Sequence, residues 1–175
     1  MVGRDTDKEH ELLAGVQAAA TGALEDLRDL ARGIYPPLLA DKGLAVALEA
    51  QARKAAVGTT VESNGVGRYP EEVESAVYFC ALEAMQNVAK YAEASSTVVR
   101  LAETEGDLVF EIEDDGRGFN PDETGYGTGL QGMADRLDAI GATLEVASEP
   151  ARGTLVRGRI RLPGNQVAEA SGRSE

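Results

Sequence analysis

Three side chains with the types and spacing of a cation or phosphate site lie in the segment "LEAMQNVAK". Glu83, Asn87 and Lys90 follow one another at intervals of four and three residues. In a helix that turns about 100° per residue, they fall within roughly 60° of arc. An asparagine is mildly unfavourable in mid-helix, and its carbonyl oxygen is a hard ligand that suits Mg²⁺. The alternative is an ordinary solvated polar face.

A second group, "DDGRGF", comes directly after the apolar run "LVFEIE". A carboxylate at a strand end, such as Asp114, can accept a hydrogen bond from an exocyclic amine. In a partly buried site that bond contributes about 1.5–3 kcal/mol. Gly116 and Gly118 allow close backbone approach beneath a flat ring. By itself the D-x-G-x-G pattern also describes an ordinary turn.

A third group, "GYGTGLQGM", carries four glycines and leads into a helical pattern. Glycines that merge into a helix start place backbone N–H groups and the positive end of a helix dipole together, which suits phosphate. The segment is not a P-loop, because no G-K-[ST] follows, and it is not the dinucleotide fingerprint. A flexible loop is the alternative reading.

Composition limits the classes of partner. The 175 residues carry a formal net charge of −13 and are 43% apolar. This charge argues against non-specific binding to nucleic acid or anionic membranes, but a few local cations and Mg²⁺ still permit ATP. The single cysteine, Cys80, excludes an intrachain disulfide framework and reads as a core residue. Without a signal peptide or an apolar run long enough to span a membrane, we expect a cytoplasmic chain with no direct membrane contact from this segment. The alternative is the cytoplasmic end of a membrane-bound sensor.

The first 35 residues predict one long helix. Apolar residues recur at spacings of three and four over 7–35, and Pro36-Pro37 ends the pattern. The narrow stripe favours a helix-bundle dimer, and packing on its own domain is the alternative.

The rest of the chain predicts early helices and late hairpins, hence an α+β fold with an antiparallel-rich sheet rather than alternating βαβ units. The predicted elements are helices over 43–56, from Pro70 to about 95 and over 130–140, a strand over 58–64, hairpins over 96–114 and 143–162, and a disordered tail over 164–175.

Together, the three groups resemble, in order and spacing, the N, G1 and G2 boxes of the ATPase superfamily of histidine kinases, gyrase-type topoisomerases, Hsp90 and MutL. The segment "ARGT" is similar to that superfamily's final G-T element. The flanking segments "LRDLARGIYPPLLADKGLAVALEA" and "GLQGMADRLDAIGATLEV" resemble bacterial sensor histidine kinases of the nitrate-sensor type. The likeness extends over 12–163.

The resemblance implies a two-layer α/β sandwich of the Bergerat type, in which a mixed, mainly antiparallel sheet is covered by helices on one face. It implies a second dimerisation helix and connector over 1–40 and an ATP-binding catalytic domain over 41–163. It also implies a cytoplasmic kinase, homodimeric through the N-terminal helix. Such a kinase transfers the γ-phosphoryl group of ATP to a histidine and thence to a LuxR-type response regulator.

Residue roles carried over from the resemblance divide the site into a base end and a phosphate end. Asn87 would bind Mg²⁺, Glu83 would act in catalysis and reach the metal through water, and Asp114 would bind the adenine amine. The other expected nucleotide contacts are Lys90, Tyr91, Gly116, Gly118, Phe119, Gly127, Thr128, Gly129, Leu130, Gly132 and Thr154. The segment 119–128 would form the ATP lid.

Two positions depart from the family pattern. Tyr91 stands where the family often has histidine. His10, the one histidine, lacks the sequence context of a phosphoacceptor. We therefore expect the accepting histidine to be absent from this chain, which looks like a kinase truncated between its two dimerisation helices. The alternatives are an anti-sigma-factor-like serine kinase of the same fold and a catalytically decayed nucleotide-binding dimerisation module.

Overall fold

The computed structural model describes residues 36–121 and 127–162. The predicted N-terminal helix with His10, the predicted tail and the middle of the predicted lid lie outside the described residues. All the described residues belong to one compact unit, which starts at Pro36.

Five strands form one mixed sheet, in the order β1-β2-β3-β5-β4. The strands are β1 (Gly58–Asn64), β2 (Ser96–Thr104), β3 (Asp107–Asp114), β4 (Thr143–Ser148) and β5 (Thr154–Arg161). All pairings are antiparallel except β1 with β2, which is parallel. The predicted antiparallel-rich sheet is confirmed. The parallel pair comes from a single βαβ unit, so the sheet is mixed and mainly antiparallel, as the resemblance implied.

The described helices are α1 (Pro37–Lys42), α2 (Leu44–Ala52), α3 (Glu71–Asn87) and α4 (Thr128–Asp138). The sequence did not predict α1, and the predicted helix over 43–56 ends earlier, at Ala52. Helix α3 begins after Pro70 with acidic residues in its first turn, which complement the helix dipole. It crosses from β1 to β2 and continues as a π-helical turn, Val88–Ala92. Within 36–121 and 127–162, no helix is long and apolar enough to cross a membrane.

The sheet has one covered face and one exposed face, as its alternating sequence predicts. Leu101, Phe110 and Ile160 on the inner face are at most 2% exposed. The outer face carries ion pairs between strands, such as Arg100 with Glu113 at 2.6 Å. Each exposed ion pair of this kind contributes little to stability. The buried side chains of the covered face form the core. Cys80 on α3 is fully buried, which confirms its reading as a core residue.

The sheet register aligns polar residues at one end of the inner face. Successive partners across the five strands are Thr59, Thr97, Asp114, Thr154 and Ser148, which we call the polar row. Two residues further into the sheet, the corresponding partners are all apolar, namely Val61, Val99, Ile112, Val156 and Val146. The polar row therefore marks the point where the apolar core stops.

Candidate functional site

The centre of the candidate site is Asp114, at the end of β3 and in the middle of the polar row. Asp114 is only 6% exposed, and its Oδ1 accepts a hydrogen bond from the Gly116 amide at 2.8 Å. Burial raises the pKa of the Asp114 carboxyl, while amide hydrogen bonds from Gly116 and Thr154 oppose that rise. A buried carboxylate with two oxygens has acceptor capacity left for an amine.

The next residue, Asp115, has the opposite surroundings. Its Oδ1 accepts hydrogen bonds from the amides of Ser95 at 2.7 Å and Ser96 at 2.9 Å. Its Oδ2 accepts one from Ser96 Oγ at 2.9 Å. The hydrogen bonds from Ser96 lower the pKa of the exposed Asp115 carboxyl. Asp115 therefore holds the start of β2, and of the two neighbouring aspartates only Asp114 lies on the buried face.

Glycines around Asp114 are required by contacts within the protein. A Cβ on Gly116 would overlap the Ala92 carbonyl oxygen and lie 2.7 Å from Asp114 Oδ1. Gly118, at φ +57°, would meet the Glu149 carbonyl oxygen, and Gly153, at φ +77°, would meet that of Asp114. The sequence explained Gly116 and Gly118 by room for a ring. The described contacts add a second reason, since the loop after β3 packs against neighbouring backbone.

Ser148, at the end of β4, was not predicted from the sequence. Its Oγ accepts a hydrogen bond from the Phe119 amide at 2.9 Å and donates one to the Gly153 carbonyl oxygen at 3.0 Å. The same Oγ lies 3.0 Å from Thr154 Oγ1. Ser148 thus joins the loop after β3 to the predicted G-T element. The alternating pattern of the second hairpin contained this signal, because it sets Ser148 opposite Thr154.

The predicted phosphate end begins on α3, where Glu83 and Asn87 are half-buried. A Cβ on Gly129 would lie 2.5 Å from Glu83 Oε1 and 3.3 Å from Asn87 Nδ2. The structure therefore brings the glycine-rich start of α4 against the predicted N box. A side chain at position 129 would require the Glu83 carboxylate to move.

Lys90 and Tyr91 lie on the π-helical turn, and both are exposed; Tyr91 is 60% exposed. A π-helical turn winds more widely than an α-helix. The arc predicted for Glu83, Asn87 and Lys90 assumed α-helical winding throughout, so it does not apply to Lys90.

One contact connects the two ends. The Ala92 carbonyl oxygen, at the close of the π-helical turn, accepts a hydrogen bond from the Arg117 amide at 2.7 Å. The Arg117 guanidinium pairs with Glu93 on the surface, 3.3 Å away. The three predicted groups are therefore contiguous, from α4 through α3 to the loop after β3.

The remaining predicted contacts flank these two ends. Phe119 and Thr154 are half-buried at the base end, and Leu130 is half-buried on α4. Gly127, Thr128 and Gly132 are exposed at the start of α4, with open space where a Cβ on either glycine would stand. Phe119 and Thr154 thus lie at the polar row, and the other four residues lie on or next to α4.

The donor atoms present fit a Mg–nucleotide better than a protein-held metal. No group of three or more His, Cys, Asp or Glu side chains within the described ranges could hold a metal ion. Mg²⁺ usually takes one or two protein oxygens and completes its shell with phosphate oxygens and water. The side-chain oxygens of Asn87 and Glu83 could supply those one or two ligands. The buried Asp114 carboxylate could accept a hydrogen bond from a base that carries an amine.

A family profile decides what this arrangement belongs to. The profile described as "Histidine kinase-, DNA gyrase B-, and HSP90-like ATPase" matches residues 72–165, from the first turn of α3 past the end of β5. The chain belongs to this family. Its domains bind ATP, and the matched range includes the segments predicted as the N, G1 and G2 boxes and the G-T element.

Two curated relatives are sensor kinases. The chain is 28% identical over 160 residues to the oxygen sensor histidine kinase NreB of Staphylococcus carnosus, covering 87% of this chain and 46% of that protein. It is 31% identical over 169 residues to the sensor histidine kinase MctS of Rhizobium johnstonii, covering 90% of this chain and 36% of that protein. The chain thus spans less than half the length of either relative.

A solved structure shows the same fold. The histidine kinase AdeS of Acinetobacter baumannii superposes with a TM-score of 0.59 at 16% identity, covering 88% of this chain and 83% of that one. The mixed sheet with helices on one face is therefore the fold of histidine kinase ATPase domains.

Proposed function

We propose that this chain binds Mg–ATP as the catalytic domain of a two-component sensor histidine kinase, within a domain spanning about 41–163. The observation that carries the proposal is the buried Asp114 carboxylate, contiguous through the loop after β3 and the π-helical turn with Glu83, Asn87 and the start of α4. One surface thus offers an acceptor for a base amine and, at its other end, hard oxygen ligands beside helix N–H groups.

The residues divide the work between base and phosphates. Asp114 accepts the exocyclic amine of adenine, and Thr154 supports that contact. Gly116, Gly118 and Phe119 line the base. Asn87 binds Mg²⁺, Glu83 orients a water or the phosphoryl acceptor, and Lys90 and Tyr91 lie beside the phosphates. Gly127, Thr128, Gly129, Leu130 and Gly132 close the phosphate side.

Bound ATP supplies a transferable γ-phosphoryl group, and the chain's own contribution is positioning and charge neutralisation. In the larger protein, the acceptor is a histidine on a dimerisation helix, and an aspartate of a LuxR-type response regulator receives the phosphoryl group next. Homodimerisation through the predicted helix over 7–35 would bring the catalytic domain and that histidine together.

Isothermal titration calorimetry with Mg–ATP, ADP and Mg–GTP tests the nucleotide site. We expect ATP and ADP to bind and GTP to bind more weakly. Asn87→Ala should abolish the Mg²⁺ dependence of ATP binding and leave adenosine binding intact, because Asn87 lies at the phosphate end. Equal affinities for ATP and GTP would refute the adenine assignment, and no binding at millimolar nucleotide would favour a decayed module.

Phosphoryl transfer is tested with γ-³²P-ATP. The chain alone should retain no acid-labile, base-stable label, because the accepting histidine is expected elsewhere in the protein. Adding the homologous dimerisation region from a longer form of the protein should give that label. Label on a serine of a small partner protein would instead support the serine-kinase alternative.

A further inference from the structure

Ser148 stands at the β4 end of the polar row, where its single hydroxyl hydrogen faces two oxygen atoms. One is the Gly153 carbonyl oxygen and the other is Thr154 Oγ1, each 3.0 Å from Ser148 Oγ. A serine hydroxyl can donate one hydrogen bond and accept two. The Phe119 amide occupies one acceptor position at 2.9 Å.

Donor counting leaves one arrangement that satisfies every group. A carbonyl oxygen can only accept a hydrogen bond, so the Ser148 hydroxyl donates its hydrogen to the Gly153 carbonyl oxygen. Gly153 is buried, and its carbonyl oxygen would otherwise lose this donor. The contact between the two hydroxyls then requires Thr154 to donate its hydrogen to Ser148. Ser148 thereby donates one hydrogen bond, accepts two and is fully used.

Thr154 is left with lone pairs only. Its neighbour in the polar row is Asp114, directly opposite in the sheet register, and an ionised carboxylate also only accepts. Paired residues on one face of a sheet have Cβ atoms about 4.5–5.5 Å apart. The Asp114 carboxylate and the Thr154 hydroxyl oxygen therefore present two adjacent acceptors on this side of the polar row.

We propose that Ser148 is a specificity-determining residue, which orients the Thr154 hydroxyl as an acceptor and so makes the base end select a purine with an exocyclic amine over one with a carbonyl at the same position. Adenine carries an amine there and guanine a carbonyl oxygen. The amine has two hydrogens for two acceptors, directly or through a water, whereas the carbonyl of guanine meets lone pairs. The inference rests on the proposed nucleotide site and adds the residue that sets its base selectivity.

The test compares ATP and GTP affinities by calorimetry in the unmutated chain and in Ser148→Ala. Without Ser148 Oγ, the Thr154 hydroxyl is free to rotate and donate, so the ATP-to-GTP affinity ratio should fall by roughly 2- to 10-fold. Ser148→Thr keeps the hydroxyl and should restore the ratio. Thr143→Ala is the matched control, since it removes an exposed hydroxyl from the outer face of the same strand.

Two further measurements separate orientation from simple loosening. Thr154→Val should lower the ratio by itself, and adding Ser148→Ala to it should change the ratio no further, because the group being oriented is gone. Amide hydrogen exchange of Phe119 without nucleotide should become faster in Ser148→Ala and stay unchanged in Thr154→Val.

Three outcomes would overturn the inference. A parallel loss of ATP and GTP affinity at an unchanged ratio would show that Ser148 only holds the loop, and unchanged affinities would show that it does nothing for the base. Additive effects of Ser148→Ala and Thr154→Val on the ratio would show that they act separately. If the unmutated chain binds neither nucleotide, the proposed function itself fails, which the first titration reveals before any variant is made.

Discussion

The two ends of the candidate site are built in different ways. At the base end, backbone and side chains fill the space around Asp114, and added Cβ atoms on Gly116, Gly118 or Gly153 would overlap carbonyl oxygens. At the predicted phosphate end, no described atom lies within 4 Å of a Cβ added to Gly127 or Gly132, and Lys90 is exposed. Gly129, packed against Glu83, is the exception there.

The difference indicates where the site is fixed before a ligand arrives. Contacts locked by hydrogen bonds and by steric fit lose little entropy on binding, so they favour selectivity. Exposed side chains and helix N–H groups around open space suit a charged ligand whose phosphates adapt their position. We therefore expect substitutions at the base end to change stability and base selectivity, and substitutions at the phosphate end to change the affinity for triphosphate.

The largest effect is expected from Gly153→Ala. The added methyl group would overlap the Asp114 carbonyl oxygen, and φ +77° is unfavourable for alanine. Together these should lower the free energy of unfolding by about 3 kcal/mol or more, measured by urea denaturation. If the free energy of unfolding falls by less than about 1 kcal/mol, the base end accommodates the added methyl group. The contrast between the two ends would then be lost.

Asp114→Asn should weaken ADP binding by roughly 10- to 100-fold, because a charge-assisted hydrogen bond is lost. The stability of the nucleotide-free chain should change little, because removal of the buried charge offsets weaker hydrogen bonds from the amides of Gly116 and Thr154. Calorimetry and thermal denaturation measure the two effects.

Asp115→Asn is the matched control for that change. It should lower stability by weakening the hydrogen bonds to Ser95 and Ser96, and leave ADP affinity unchanged. Equal losses of affinity in the two variants would contradict the division of roles between the neighbouring aspartates.

The ADP affinity and the stability contribution of Asp114 should change in opposite directions with pH. Burial raises the pKa of Asp114 above its unfolded value, so its favourable contribution to stability is present at low pH and is lost as pH rises through the folded pKa. The amine needs the ionised form, so ADP affinity should fall about tenfold per pH unit below that pKa. Titrations of the unmutated chain and of Asp114→Asn at a series of pH values test this, because the variant should lose both dependences attributed to Asp114.

Thr97→Val should stabilise the nucleotide-free chain by on the order of 1 kcal/mol. Thr97 is 2% exposed, and its Oγ1 has no hydrogen-bond partner among the described residues. Valine has a similar shape and would remove the cost of burying this hydroxyl. Thr60→Val, on the exposed face of β1, should change stability by less than about 0.5 kcal/mol. Destabilisation by Thr97→Val in urea denaturation would show that the hydroxyl is satisfied in solution.

The smallest effect is expected from Gly132→Ala at the phosphate end. Gly132 lies within α4 with open space around it, so alanine should raise the free energy of unfolding by about 0.5–1 kcal/mol. If Gly132 also helps to close the phosphate side, ATP affinity should fall while adenosine affinity stays the same. A loss of adenosine affinity would place Gly132 at the wrong end of the site.

Much of the fold followed from local patterns. The hairpin strands predicted over 96–103 and 107–114 are β2 and β3 to within a residue. Period-two alternation with a tight turn specifies a hairpin almost without help from the rest of the chain. Glu105 and Gly106, both with positive φ, form that turn, as a two-residue hairpin connection favours.

Other features depended on distant contacts. Helix α1 is too short to show a helical periodicity in the sequence. The arc predicted for Lys90 assumed an α-helix, whereas Lys90 lies on the π-helical turn. Ser148 was missed because the sequence pointed to glycines and to Thr154, whereas the role of Ser148 arises from atoms on three separate segments. The roles assigned to the site residues stay predictions until nucleotide binding is measured.

By itself, the sequence determined which face of each strand is apolar and where each strand stops, because alternation and glycine turns act over a few residues. It also carried the three spaced groups of the proposed nucleotide site. Only the tertiary structure decided that Thr59, Thr97, Asp114, Thr154 and Ser148 form one row. That alignment depends on strand order and register, which are set by packing across the whole sheet and by the crossover of α3. A donor and an acceptor far apart in sequence meet only after those are fixed.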